Sequence, residues 1–162
     1  NVDSHPIRKY MLNLFNQIED LETNFVPLES YFLNLVKVMD KSKTEHFRKS
    51  YIQNLRQQIF AFTPRGYGNF SYRFYEALRE GRIPVVPDTS IVFPLEKDID
   101  WHDFIICGNT KKETIDKIFD WVQNRDLIAV QKRCREVWEK YINFPVFLEH
   151  LPKYIKQALD KL

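Results

Sequence analysis

Residues Phe60 to Asp88, FAFTPRGYGNFSYRFYEALREGRIPVVPD, read as a βαβ unit. Ile59 to Thr63 is a run too short for a helix and stopped by Pro64, the pattern of a strand covered on both faces in a parallel sheet. Ile83 to Val86 is a second such run. Between them, Gly66 and Gly68 allow positive φ and a close approach of backbone to a ligand. The spacing then predicts a helix over Asn69–Gly81, with Phe70, Phe74, Ala77 and Leu78 as the stripe that packs on the sheet. Asn69 or Ser71 is placed to cap it. The free N–H groups of its first turn face the glycine turn, so this corner suits a phosphate.

Upstream, Ser4 and Pro6 signal a helix start, and Ile7, Tyr10, Met11, Leu14, Phe15 and Ile18 recur at helical spacing. Asn24 to Leu28 is a weak strand candidate demoted by Pro27, and Glu29 to Met39 suits a helix. Thr44 is a plausible cap for a helix that buries Phe47, Tyr51, Ile52 and Leu55. Downstream, Phe104 to Cys107 reads as a third strand, and Thr110 with Glu113 as a capping box. The helix that follows carries Ile115, Ile118, Phe119 and Val122. A helical region from about Arg125 to Tyr141 carries Leu127, Val130, Cys134, Val137, Trp138 and Tyr141. A last amphipathic segment, with Leu148, Leu151, Ile155 and Leu159, has Pro152 inside it, which predicts a kink or two short helices. Strands alternating with helices give an α/β fold, a Rossmann-like parallel sheet flanked by helices. Ligands in such sheets bind at the carboxyl ends of the strands, here the turns at Pro64–Asn69, Pro87–Ser90 and Gly108–Thr110.

The 162 residues, 44% of them hydrophobic, suffice for one domain with its own core. A net charge of +2 does not point to nucleic acid as the partner. Cys107 and Cys134 offer no metal-ligand spacing and read as reduced thiols, as in a reducing, cytoplasmic compartment. No run approaches a membrane span and no signal-peptide core is seen, although a truncated N-terminus could hide one. Asn1 is not Met and no strand precedes the first helix. The chain therefore reads as a single domain over 1–162, N-terminally truncated, with C-terminal helices from about 125.

The helix after the glycine turn carries Arg73, Glu76 and Glu80 together on one flank. Arg73 can reach back to an anion at the helix start, Glu76 can accept hydrogen bonds from a ribose diol, and Arg65 can close over the anion with a two-donor guanidinium. A solvated helix face with weak ion pairs accounts equally well for Arg73, Glu76 and Arg79. Tyr67, Tyr72 and Tyr75 read as packing residues. A P-loop is excluded, since no Gly-Lys-Ser/Thr follows the turn. A dinucleotide fingerprint comes closer, with Gly66-x-Gly68-x-x-Ser71 and Asp88 at the end of the next strand. An NAD-binding domain is thus one alternative, but it leaves Arg65, Arg73 and Glu76 without a task.

Pro64-Arg65-Gly66, Ser71-x-Arg73-x-x-Glu76-Ala77, Gly81-x-Ile83-Pro84-Val85-Val86 and Asp88 together resemble the donor-binding half of exostosin-like glycosyltransferases of the GT-B architecture. Phe93-Pro94-Leu95, Asp100-Trp101 and Trp138-Glu139-Lys140-Tyr141 are similar to that family's continuation. The resemblance is specific over Phe60 to Cys107 and general in the flanking helices. It implies a site for a nucleotide sugar, most often a UDP-sugar, whose hexosyl group passes to an acceptor hydroxyl. Arg65, Ser71 and Arg73 would hold the diphosphate and Glu76 the ribose. The backbone of Pro84 to Pro87 and the turn at Asp88 would lie near base or sugar, with Gly66, Gly68 and Asn69 completing the donor site. No metal or other cofactor is implied. The second GT-B domain, which would carry the acceptor site and the catalytic base, has no counterpart here, so it would be supplied by a missing N-terminal domain or a partner chain. No catalytic residue is assigned; His5, His46, His102 and His150 are scattered. A nucleotide-binding or interaction domain without transferase activity is the remaining alternative.

Overall fold

A computed structural model describes residues 13, 15, 18, 21–25, 41–65, 68–87 and 90–160. In chain order the described elements are helix α1 (Lys41–Gln57), strand β1 (Phe60–Phe62), helix α2 (Tyr72–Arg79) and strand β2 (Ile83–Pro87). A 3-10 turn (Trp101–Asp103), strand β3 (Ile106–Gly108), and helices α3 (Lys111–Asn124) and α4 (Leu127–Val137) follow. A π-helical turn (Trp138–Ile142) then leads into helix α5 (Phe144–Leu159). The predicted helix from Ser4 and the one over Glu29–Met39 lie wholly or largely outside the described residues. So does the strand over Asn24–Leu28, apart from Asn24 and Phe25, whose backbone is irregular.

The three strands form one parallel sheet in the order β1-β2-β3, the Rossmann-like arrangement expected from the sequence. All five residues of β2 are buried, although two of them are prolines, which a central strand ordinarily rejects for want of an N–H. The register explains why both are tolerated. β1 pairs with β2 from Phe60↔Ile83 to Phe62↔Val85, and β3 pairs from Val85↔Ile106 to Pro87↔Gly108. Ile83 and Val85 exchange backbone bonds with β1, through Ile83 N to Ile59 O at 3.0 Å and Thr63 N to Val85 O at 2.9 Å. Successive residues of a parallel strand address opposite neighbours. Pro84 therefore faces β3 before that ladder begins, and Pro87 faces β1 after that ladder has ended.

Helix α2 is shorter than its pattern. It starts at Tyr72, so Phe70 precedes it and is 47% exposed while Phe74, Ala77 and Leu78 carry the buried stripe. Tyr72 is also exposed, contrary to its reading as a packing residue. The helix closes with Gly81 at φ 63°. Gly81 N donates to Leu78 O and Arg82 N to Ala77 O at 3.0 and 2.8 Å, the paired bonds of a Schellman cap. Arg82 then turns back, its Nη1 donating to the carbonyls of Arg56 and Gln58 at 3.1 and 2.9 Å and its Nε to Glu80 O. One guanidinium thus fastens the end of α1 to the α2–β2 turn.

Other departures have similarly local causes. Thr44 lies inside α1. β3 begins at Ile106, because Phe104 and Ile105 belong to the turn that buries Trp101 beneath them. The capping box is present: Glu113 N donates to Thr110 Oγ1 at 3.1 Å, and Glu113 reaches back to Asn109 N rather than to Thr110 itself. Helix α3 buries Thr114, Ile118 and Trp121, leaving Val122 52% exposed. α5 runs through Pro152 as one helix instead of breaking into two.

The main core gathers Phe74, Leu78, Ile83, Val85, Trp101, Phe104, Ile106, Ile118, Val130, Cys134 and Val137, joined by Phe15. Each fully buried aliphatic or aromatic side chain contributes about 1.5–3 kcal/mol relative to exposure. Neither Cys107 nor Cys134 is bridged by a disulfide, and burial pushes the Cys134 thiol up to about 12. Among the described residues no helix is long and apolar enough to cross a membrane.

Two glycines carry this packing. A Cβ at Gly81 would need the left-handed backbone and would stand 3.3 Å from Gln131 O; Gly81→Ala is expected to cost about 1–2 kcal/mol in urea unfolding. A Cβ at Gly108 would collide with the Thr114 hydroxyl and lie 2.8 Å from Thr114 N. Gly108→Ala is accordingly expected to destabilise by about 1–3 kcal/mol. Parental unfolding midpoints in either variant would contradict the packing described.

Candidate functional site

The carboxyl ends of β1 and β2 meet the start of α2 in a narrow cleft. Thr63, Arg65, Phe70, Ser71, Phe74, Tyr75, Val86 and Pro87 line it, and Ile91 to Pro94 form the outer wall. Its free interior is about 20 Å³, room for roughly one water. The floor is firm: Thr63 is buried and its hydroxyl donates to Val85 O at 3.2 Å. The wall is firm as well, because Phe93 stacks on Trp101 at 5.5 Å and Trp101 Nε1 donates to Pro94 O at 2.7 Å.

Ser71 occupies the N-cap position of α2 but makes no capping bond through its side chain. The other helices differ: α3 is capped by Thr110 and α4 by Asp126, which accepts from Ile128 N and Ala129 N at 3.0 and 3.1 Å. At α2 the Ser71 hydroxyl is thus not spent on the helix, whose Phe74 N donates instead to Ser71 O at 3.1 Å, and the helix start lies beside the Arg65 guanidinium. That set can bind an anion.

The residues singled out in the sequence divide between two places. Arg65 and Ser71 line the cleft, whereas Arg73 and Glu76 stand on another flank of α2 against α1. There the Tyr51 hydroxyl donates to Glu76 Oε2 at 2.6 Å, and the Arg73 guanidinium lies over the Tyr51 ring, 5.4 Å from its centroid. Glu80 does not share this cluster, since Arg56 and Arg79 hold it at 2.7 and 3.2 Å. Asn69 is exposed and its Nδ2 donates to Ser90 O at 3.0 Å, joining the turns after β1 and β2. Gly68 is exposed in the same turn. Pro84 is buried inside the sheet and does not line the cleft, while Val86 and Pro87 do. Gly66 and Asp88 lie outside the described residues.

Three contributors escaped the sequence reading as site residues. Thr63 was legible as a hydroxyl closing an apolar strand just before a proline. The Phe93-Pro94 pair showed in the sequence only as part of the family resemblance, because its role as a wall comes from Trp101. Tyr51 looked like one more apolar residue at helical spacing. His46 and His102 are exposed, and His150 stacks on Tyr141 at 5.7 Å. Among the described residues no group of three acidic, histidine or cysteine side chains is placed to hold a metal ion.

Burial, then the bond to Glu76, pushes the Tyr51 phenol up to about 12, with Arg73 pulling the other way. The folded state thus favours the protonated phenol. Its contribution to stability is complete below the unfolded tyrosine value, near 10, and is lost as pH rises from there through the folded value. Tyrosinate absorbance titrations of the parent and of Tyr51→Phe are expected to differ by one late transition close to pH 12. A missing transition at the ordinary tyrosine position would contradict the buried bond.

The family model described as RXYLT1 C-terminal domain matches residues 8–93, more than half of the chain. Exostosin-1 of Drosophila melanogaster is 29% identical over 125 residues, covering 71% of this chain and 16% of that protein. The Exostosin-1 homolog of Caenorhabditis elegans is 27% identical over 122 residues, covering 74% of this chain and 32% of that protein. Exostosin-1b of Danio rerio is 26% identical over 105 residues, with 64% and 14% covered. The chain thus spans between about a seventh and a third of the length of these relatives. The matched segment contains β1, α2, β2 and all the cleft lining except Pro94. The chain is similar to these exostosins and belongs to the RXYLT1 C-terminal domain family.

Proposed function

We propose that this domain binds the nucleotide-sugar donor of a GT-B glycosyltransferase, a uridine diphosphate sugar being the class that fits best. The observation that carries the reading is the start of α2, where the N-cap Ser71 makes no side-chain capping bond, at the carboxyl edge of a parallel sheet and beside Arg65. It lies within the segment that the family model matches. A nucleotide draped across this helix start meets Arg65, Ser71 and Arg73 with its diphosphate, and Glu76, one turn on, with its ribose. Gly68 and Asn69 let the turn come close to it, together with Gly66. The carboxyl end of β2 and the turn at Asp88 border the base or sugar.

The chemistry supplied by such a site is electrostatic. Transfer of the hexosyl group leaves a diphosphate carrying an extra negative charge, and preorganised cations with helix N–H groups stabilise that charge as it forms. The reading asks for no metal. It leaves the acceptor hydroxyl and the base that deprotonates it to a second domain or a partner chain, so this domain by itself binds the donor without turning it over.

Calorimetry with uridine diphosphate and with NAD tests the reading. Uridine diphosphate is expected to bind and NAD is not; the reverse would favour a dinucleotide site. Arg73→Ala and Glu76→Ala are each expected to weaken uridine diphosphate binding by about 1–3 kcal/mol. Parental affinity in both variants, with circular dichroism unchanged, would return these side chains to a structural role against α1.

A further inference from the structure

The Glu76 carboxylate is oriented from outside its own helix. Tyr51, on α1, donates its hydroxyl to Glu76 Oε2 at 2.6 Å, and the same ring carries the Arg73 guanidinium on its face. One phenol therefore touches both charged side chains of the α2 flank. Tyr51 is itself held: its ring packs against the small cluster of Leu55, Ala61 and Ala77, which joins α1, β1 and α2. Further along α1 the attachment repeats, with Arg56 Nε on Glu80 at 2.7 Å and Arg82 on the carbonyls of Arg56 and Gln58. α1 cannot slide along α2 without breaking these bonds together, so the phenol is presented at a fixed height on the helix.

A glutamate on a helix surface samples many rotamers, and a ligand that needs one of them loses affinity to the ordering. A tyrosine tethered in the fold removes that loss before the ligand arrives. A carboxylate accepts at both oxygens; with Oε2 engaged by Tyr51, Oε1 is the acceptor that remains for a sugar hydroxyl. We propose that Tyr51 is a positioning residue for ribose recognition, fixing the Glu76 carboxylate through Oε2 so that Oε1 receives the nucleotide's vicinal diol. This rests on the reading of Glu76 as the ribose acceptor. Tyr51 also holds Arg73 on the same flank, its guanidinium lying over the ring 5.4 Å from the centroid.

The test compares uridine diphosphate with its 2′,3′-dideoxy analogue by calorimetry, on the full chain and on Tyr51→Phe, which keeps the ring and removes only the hydroxyl. The parent is expected to prefer uridine diphosphate over the dideoxy form by about tenfold, the scale of a charge-assisted hydrogen bond. In Tyr51→Phe this preference is expected to fall to about threefold or less, with dideoxy affinity unchanged. An undiminished preference in the variant would overturn the proposal while leaving the ribose role of Glu76 standing. No preference in the parent would show that the ribose reading itself is wrong, and the proposal would fall with it. Loss of affinity for both ligands in the variant would also overturn it, because the phenol would then be supporting the helix and not the carboxylate.

Discussion

The fold hangs on the burial of β2. Its five residues have no face to water, so every backbone group in it needs a partner from a neighbouring strand or must be absent. Pro84 and Pro87 supply the absence at the two points where a neighbour's ladder stops short. A strand of this composition is compatible with one register only, since a slip by one residue would place a proline opposite a carbonyl that needs a donor. The stagger of β1 and β3 about β2 follows from this, and so does the offset that leaves the carboxyl end of β2 projecting past β1. The cleft forms where that projection meets the start of α2.

The same helix serves two surfaces. Ser71, Phe74 and Tyr75 look into the cleft, and Arg73 and Glu76 look toward α1. With 3.6 residues per turn, positions 71, 74 and 75 fall together, and 73 and 76 fall on another side. A short helix can in this way offer its end to one part of a ligand and its flank to another. The polar flank is kept in order by a tyrosine from outside the βαβ unit, which places α1 among the determinants of the site although it contributes nothing to the sheet.

Much of this was legible in the residues. The two apolar runs, the glycine turn and the periodicity of Phe74, Ala77 and Leu78 define the βαβ unit, and Thr110 with Glu113 marks the next helix. What escaped was set by partners distant in sequence. Phe70 has the right spacing for the stripe, but the helix starts two residues later because the chain is still in the turn that Asn69 ties to Ser90. Glu80 has the right spacing for the polar flank, but Arg56 and Arg79 claim it. Val122 yields its place to Trp121 because the larger ring fills the space beside the core. Periodicity reports which face of a helix is apolar; it does not report where the turn lets the helix begin or which cation stands opposite.

Arg82 fastens α1 to the α2–β2 turn at the amino-terminal edge of the sheet, and the cleft lies at the opposite edge. Cohesion and exchange are thus assigned to different ends of the same two strands. Substitutions around the cleft can change its lining without loosening the fastening, and the fastening can be strengthened without narrowing the cleft. A domain divided in this manner has room to diversify its cleft while its framework stays constant.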